Sequence, residues 1–293
     1  MNELTRQSPA KINLTLRVGP LRPDGFHPLE SLVARVALCD TITVNRRDDR
    51  RLTLECDDPT VPADDSNLAL RAAHALAQTT DERNPGFHIK IKKRIPAGAG
   101  LGGGSSNAAT TLMLLNELWN TRVPTAELAE LAAQLGSDVP LFFHGPLCLM
   151  RGRGEIIQDI PHTLNAWVVL VLPELHAPTG SVYKAFDRLP APPARPSADD
   201  LLAEITAREP AARLEALNHR LFNDLEPAAT AVIAELARVA ADLAKLSDNT
   251  IRMTGSGAAF FRLFAEKHDA QALADRIHQE LLLPTRVTQL ATA

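Results

Sequence analysis

Residues 96–106, Pro96-Ala97-Gly98-Ala99-Gly100-Leu101-Gly102-Gly103-Gly104-Ser105-Ser106, place five glycines and a pair of hydroxyls just ahead of a helical pattern. Without Cβ atoms the backbone can turn through positive φ and close its N–H groups on a ligand. A helix N-terminus adds unpaired N–H donors and the positive end of the helix dipole. Together these features suit a polyanion, above all phosphate. No lysine follows the glycines, so the Gly-x4-Gly-Lys-Ser/Thr phosphate loop is excluded. The elements ahead of the loop read as consecutive strands of an antiparallel sheet, unlike the parallel βαβ unit of a dinucleotide fingerprint. A linker that binds nothing fits poorly between a strand and an amphipathic helix.

Three further pieces hold residues capable of chemistry, and each has an ordinary structural reading when taken alone. Met253-Thr254-Gly255-Ser256-Gly257-Ala258-Ala259 reads as a tight turn between strands. In Ser8-Pro9-Ala10-Lys11-Ile12-Asn13, Lys11 stands at the start of an early strand, where a lysine is usually a solvated charge. In Gly136-Ser137-Asp138-Val139-Pro140, Asp138 follows a helix end, the usual place of a turn or capping aspartate.

The elements that must position these pieces follow from periodicity. Alternation predicts strands at Ile12–Val18, Leu32–Leu38, Thr41–Arg46, Arg51–Cys56 and Phe87–Ile95. Helical spacing predicts Asn67–Gln78, Ser106–Trp119 with Ser105 or Ser106 as N-cap, and Thr125–Leu135 closed by Gly136. Composition changes across 151–165, and a domain boundary is expected there. Beyond it the pattern predicts a strand at Trp167–Leu172 and helices near Ala198–Ile205, Arg213–Leu217 and Ala228–Leu246. Strands Thr250–Thr254 and Ala259–Phe264, helix Asp269–Leu281 and strand Thr285–Leu290 complete the chain, as an antiparallel sheet with helices on one face. Leu189–Pro196 is proline-rich and reads as a surface loop.

The 293 residues suffice for one large domain or two modest ones, and 45% apolar residues support real cores. A net charge of −4 argues against a nucleic-acid partner. Cys39, Cys56 and Cys148 are odd in number and far apart, so neither a zinc site nor a disulfide framework is expected. The N-terminus lacks a signal-peptide core, and no apolar run approaches bilayer-spanning length. A soluble cytoplasmic protein without a membrane partner is expected. Monomer and homodimer both stay open.

Taken together, these pieces resemble the GHMP small-molecule kinases (galactokinase, homoserine kinase, mevalonate kinase and relatives), where they occur in this order. Pro23-Asp24-Gly25-Phe26-His27-Pro28-Leu29, Leu101–Ala109 and Gly152-Arg153-Gly154-Glu155 are similar to the branch whose substrate carries a cytidine diphosphate group. The resemblance runs from about Ser8 to about Phe264. It implies an α+β, two-domain fold: an N-terminal ribosomal S5 domain 2-like domain, 1–158, and a ferredoxin-like C-terminal domain, 159–293. It implies ATP and Mg²⁺ as cofactors, with the γ-phosphoryl group passing to the 2-hydroxyl of a cytidine diphosphate-linked methylerythritol on the non-mevalonate isoprenoid route.

By matching position, Asp138 would take the hydroxyl proton, with Lys11 beside it. An ammonium keeps a neighbouring carboxylate charged, and phosphoryl transfer needs mainly alignment and charge neutralisation. Pro96–Ser106 would wrap the phosphates, Asn67 would lie on the adenine side and Lys93 is a further candidate there. Asn13 and His27 match polar positions around the cytidine diphosphate. Phe26 stands where some relatives have tyrosine; its ring retains a stacking face for cytosine but no phenol hydrogen bond. Tyr183 would supply the second face, and Thr254, Gly255 and Ser256 would close the site from the second domain. Which residues ligate Mg²⁺ is left open by the resemblance. Two alternatives remain: a GHMP kinase for a small alcohol without a nucleotide group, and an ATP-binding regulator without catalysis.

Overall fold

A computed structural model describes residues 2–49, 51–79, 86–161, 164–206, 210–247 and 250–292, apart from the side chains of 204–206 and 210–213. In chain order the elements are β1 (Glu3–Asn13), β2 (Thr15–Val18), β3 (Leu29–Arg47), β4 (Leu52–Cys56), α1 (Leu68–Thr79), β5 (Gly86–Lys92), α2 (Gly103–Leu118) and α3 (Thr125–Leu135). A 3-10 turn, Pro140–Phe143, leads to β6 (Leu147–Gly152), β7 (Ile156–Asp159), β8 (Trp167–Val171), α4 (Thr179–Phe186), α5 (Ala198–Thr206) and α6 (Pro210–Arg220). The rest is β9 (Phe222–Asn223), α7 (Glu226–Val232), α8 (Ala234–Leu246), β10 (Arg252–Met253), β11 (Phe260–Phe264), α9 (Lys267–Leu281) and β12 (Thr285–Gln289).

Two compact units form, and neither is continuous in sequence. One comprises Met1–Ala10, Leu38–Ala97 and Gly102–Gly145; the other comprises Lys11–Ala37, Gly98–Leu101 and Pro146–Ala293. The single cut expected near residue 158 is therefore not how the chain divides by contact. Strands β1 and β3 each contribute residues to both units.

In the first unit, the later half of β3 pairs antiparallel with β5, from Thr41 opposite Lys92 to Arg47 opposite Gly86. β4 pairs parallel with β5, so α1 between them is a crossover helix. This corrects the expectation of a purely antiparallel run: a parallel pair needs a long connection, which the predicted helix supplies. α1 buries Ala69, Ala72, Ala73 and Leu76 and packs on α2, which buries Ala108, Ala109, Leu112 and Leu115. Alanines on both faces allow these helices to approach closely.

In the second unit, the early half of β3 pairs with β6, from Leu29 opposite Gly152 to Ala34 opposite Leu147, and β6 turns back into β7. β2 pairs with β3 and, in parallel, with β9. A separate sheet has the order β10-β11-β8-β12, with every neighbouring pair antiparallel. Its Val169, Val171, Met253 and Phe260 bury against Leu236, Leu243, Ala270 and Ile277 of α8 and α9, the helix-covered layer expected from the pattern. Among the described residues no helix is long and apolar enough to cross a membrane.

Candidate active site

The glycine loop starts its helix earlier than the sequence suggests. α2 begins at Gly103, capped by Gly102 in the left-handed region at φ 69, where a side chain would be strained. The first helical bond runs from Ser106 N to Gly102 O at 2.9 Å, which leaves the Gly103, Gly104 and Ser105 N–H groups as first-turn donors. Ser105 and Ser106 are therefore inside the helix and are not its cap. The Ser106 hydroxyl instead accepts from the Ser8 hydroxyl at 2.8 Å. Residues 98–101 cluster with the second unit, whereas Pro96, Ala97 and Gly102–Ser106 cluster with the first.

Within the second unit these loop residues are held by backbone. Ala259 N donates to Ala99 O at 3.0 Å and Lys11 N donates to Leu101 O at 2.9 Å. At Gly100, φ is 77 and a Cβ would stand 2.5 Å from the Thr254 carbonyl oxygen. The Thr254–Gly257 turn and the loop thus meet at van der Waals range, which only glycine permits. A Cβ on Gly255 would lie 3.0 Å from Gly100 O and 3.4 Å from Lys11 Nζ. Asn223 fixes the turn from behind, its side-chain amide donating to Met253 O and Gly255 O at 2.9 and 2.7 Å. Thr254 is buried and its Oγ1 accepts from Asn13 N at 2.8 Å. The Ser256 hydroxyl is hydrogen-bonded to that of Thr179 at 2.9 Å.

Lys11 is not at the start of a strand but two residues from the end of the 11-residue β1, and is 4% exposed. Its ammonium donates to Asn13 Oδ1 at 2.7 Å, and the Asn13 amide donates to Ser31 Oγ at 2.8 Å. The Asn13 side chain is thus engaged by protein groups and orients Lys11.

Phe26 lies in the loop between β2 and β3 and is 47% exposed, whereas its neighbour His27 is buried. Nδ1 of His27 faces Gly19 O at 2.8 Å, and since a carbonyl can only accept, Nδ1 carries the proton. Nε2 lies 3.2 Å from Asp187 Oδ1. The His27 ring is 5.3 Å from that of Tyr183 and edge-on to Phe186. His27, Tyr183, Phe186 and Asp187 thus form one cluster. α4, which carries Tyr183 and Phe186 and has Asp187 as its C-cap, was absent from the predicted elements.

In the first unit, Asp138 is half-buried on the turn between α3 and the 3-10 turn, where Val139 N donates to Gly136 O at 3.1 Å. Asn67 acts as a helix cap: Oδ1 accepts from Ala69 N at 2.9 Å and Nδ2 donates to Pro62 O at 2.7 Å. Lys93 donates to the buried Asp40. Asp40 also accepts from the N–H groups of Arg94 and Ile95 at 2.7 and 2.9 Å and from Asn107 Nδ2 at 2.9 Å. Asp40 thus ties β3 to the segment leading into the glycine loop and to α2. Sequence reasoning passed over it, although a lone carboxylate in an apolar strand is a signal, because burying such a charge requires a partner.

Among the described residues no group of three or more His, Cys, Asp or Glu is placed to hold a metal ion. A divalent cation here would draw on phosphate oxygens as ligands, as Mg²⁺ commonly does.

The model for the GHMP kinases N terminal domain matches residues 67–146, and that for the GHMP kinases C terminal domain matches 201–282. A relative from Burkholderia cenocepacia, named 4-diphosphocytidyl-2-C-methyl-D-erythritol kinase, is 40% identical over 90% of this chain and 87% of its own. The chain belongs to the 4-diphosphocytidyl-2-C-methyl-D-erythritol kinases, within the GHMP family. The crystal structure of a kinase of this name superposes with a TM-score of 0.78 at 31% identity, covering 99% of this chain and 100% of the other. A homoserine kinase from Cytophaga hutchinsonii gives a TM-score of 0.74 at 16% identity over 100% and 95% of the two chains, a likeness of fold alone. Membership of the 4-diphosphocytidyl-2-C-methyl-D-erythritol kinases thus rests on sequence identity, since the fold is common to GHMP kinases with other substrates.

Proposed function

We propose that this chain transfers the γ-phosphoryl group of ATP to the 2-hydroxyl of 4-diphosphocytidyl-2-C-methyl-D-erythritol, a step toward isoprenoid precursors by the non-mevalonate route. The observation that carries this reading is the 40% identity over 90% of the chain to a relative named for that activity. The glycine loop suits a nucleotide polyphosphate, with left-handed glycines at 98, 100 and 102 and first-turn N–H donors behind a cap that has no side chain. ATP supplies the phosphoryl group, and Mg²⁺ on its phosphates supplies charge neutralisation.

Asp138 takes the proton from the accepting hydroxyl. Lys11, oriented by Asn13, polarises the hydroxyl. Pro96–Ser106 hold the phosphates, with Asn67 and Lys93 shaping the nucleotide side through the segments they anchor. Gly255 and Ser256 close the site, and Thr254 backs them. Phe26 stacks on cytosine, with His27 and Tyr183 beside it. Cys39, Cys56 and Cys148 are free thiols, and with the demand for ATP they favour a cytoplasmic setting.

The test is ADP release by the purified protein with Mg²⁺, ATP and 4-diphosphocytidyl-2-C-methyl-D-erythritol. Turnover with that substrate, and none with homoserine or mevalonate, is expected. The reverse pattern would overturn the assignment.

A further inference from the structure

The Gly152-Arg153-Gly154-Glu155 turn has no part in the reaction as described. It closes the β6–β7 hairpin, and Arg153 N donates to Glu155 Oε2 at 2.5 Å. Gly152 has φ 75, and a Cβ there would lie 2.7 Å from Glu155 Oε1, so the carboxylate is folded back tightly on the turn. This arrangement fixes where the Arg153 side chain departs. Its guanidinium carbon stands 4.5 Å from the centre of the Phe26 ring.

The backbone of Phe26 is tied from both sides, its N–H donating to Asp24 Oδ1 at 3.1 Å and its carbonyl accepting from Arg22 N at 2.9 Å. The side chain nevertheless stays nearly half open to solvent. A phenylalanine has no polar atom by which a hydrogen bond could orient its ring. A guanidinium over one face can do so through its attraction to the π system, and its planarity suits that role better than an ammonium.

We propose that Arg153 is a positioning residue for the substrate's nucleobase: it holds the Phe26 ring as a platform from one face and leaves the other for cytosine. Cation, ring and base then stack in that order. The inference rests on the substrate reading above. A ring oriented before binding loses less freedom when the base arrives, so the effect falls on substrate affinity.

The experiment uses the full chain as wild type, R153A, R153K, F26L and the F26L/R153A double variant. It reads KM for the cytidine substrate, KM for ATP, and the Kd of cytidine 5′-monophosphate by calorimetry. R153A is expected to raise KM for the cytidine substrate and the Kd of the monophosphate about two- to thirtyfold while the KM for ATP stays in place. R153K should recover part of the loss, and R153A should have no further effect in the F26L background. The inference is overturned if R153A lowers KM, because the guanidinium would then be occupying the face the base needs. It is equally overturned if R153A leaves KM unchanged, or raises it by the same factor with and without Phe26. A wild type that turns over homoserine or mevalonate but not the cytidine substrate fails the functional reading itself. A wild type active on the cytidine substrate with an unaltered R153A fails this inference alone.

Discussion

At the scale of single residues, the proposed proton acceptor and the amide that orients Lys11 make separable predictions. Asp138→Asn should lower kcat by roughly 10²–10⁴-fold in the ADP-release assay while calorimetry finds ATP binding largely retained. Turnover near the wild-type value would remove Asp138 from the role of base. Asn13 accepts from Lys11 at 2.7 Å and donates to Ser31 at 2.8 Å, so both ends of its amide are engaged inside the protein. Asn13→Ala should therefore reduce kcat more than it raises KM for the cytidine substrate. A change in KM alone would return Asn13 to the substrate contact expected from sequence. Asp40→Ala removes the carboxylate paired with Lys93 and the acceptor of three N–H donors, leaving a buried ammonium without its counter-charge. A loss of about 3–5 kcal/mol in urea unfolding is expected, and a loss under 1 kcal/mol would show that the cluster is dispensable.

At the scale of elements, two glycines of one loop should behave oppositely. Gly100→Ala forces a Cβ to within 2.5 Å of the Thr254 carbonyl at a left-handed φ, and should weaken both stability and ATP affinity. Gly104 is helical, and a Cβ there would meet only Leu68 Cδ1 at 3.8 Å. Gly104→Ala should leave Tm equal or raise it, through about 0.5–1 kcal/mol of helix propensity. Thermal unfolding of the pair, with ATP titrated into each, decides the matter. The loop was visible in the sequence because glycine spacing has a direct backbone meaning. The start of its helix was not, because Ser105 and Ser106 are better side-chain caps than a glycine, and the left-handed turn at Gly102 overrode them. Long periodic helices such as α3 and α9 could be read directly. The β6–β7 hairpin escaped because Gly152 and Gly154 resemble a linker, and α4 because eight residues give too few turns for a period. Lys11 and Asp138 acquired roles through the family resemblance, since a lone lysine or aspartate carries no periodic signal.

For the whole molecule, pH acts through buried carboxyls. Burial pushes the Asp224 and Glu226 carboxyls above their ordinary values of 3.8 and 4.5, against the opposing pull of the Val18 and Met253 N–H groups. Between the ordinary value and the raised one, the folded protein binds more protons than the unfolded chain. Each group therefore lowers stability as pH rises through that window, above about pH 4.5 for Glu226. Urea unfolding of wild type and Glu226→Gln from pH 4.5 to 8 should show the downward trend reduced in the variant. Parallel curves would exclude Glu226 as its source. The interleaving of the two units has a further consequence, one for synthesis. Leu16 O accepts from Asp224 N, and Val36 bridges to Leu290, so these segments leave the ribosome well before the ones they pair with. At about 5–20 residues per second, the chain between Val36 and Leu290 takes on the order of 13–50 s to appear. During that interval Leu14, Leu16, Leu32 and Val33, all buried in the finished protein, have no completed core to enter, and the nascent chain is a natural client for a holding chaperone.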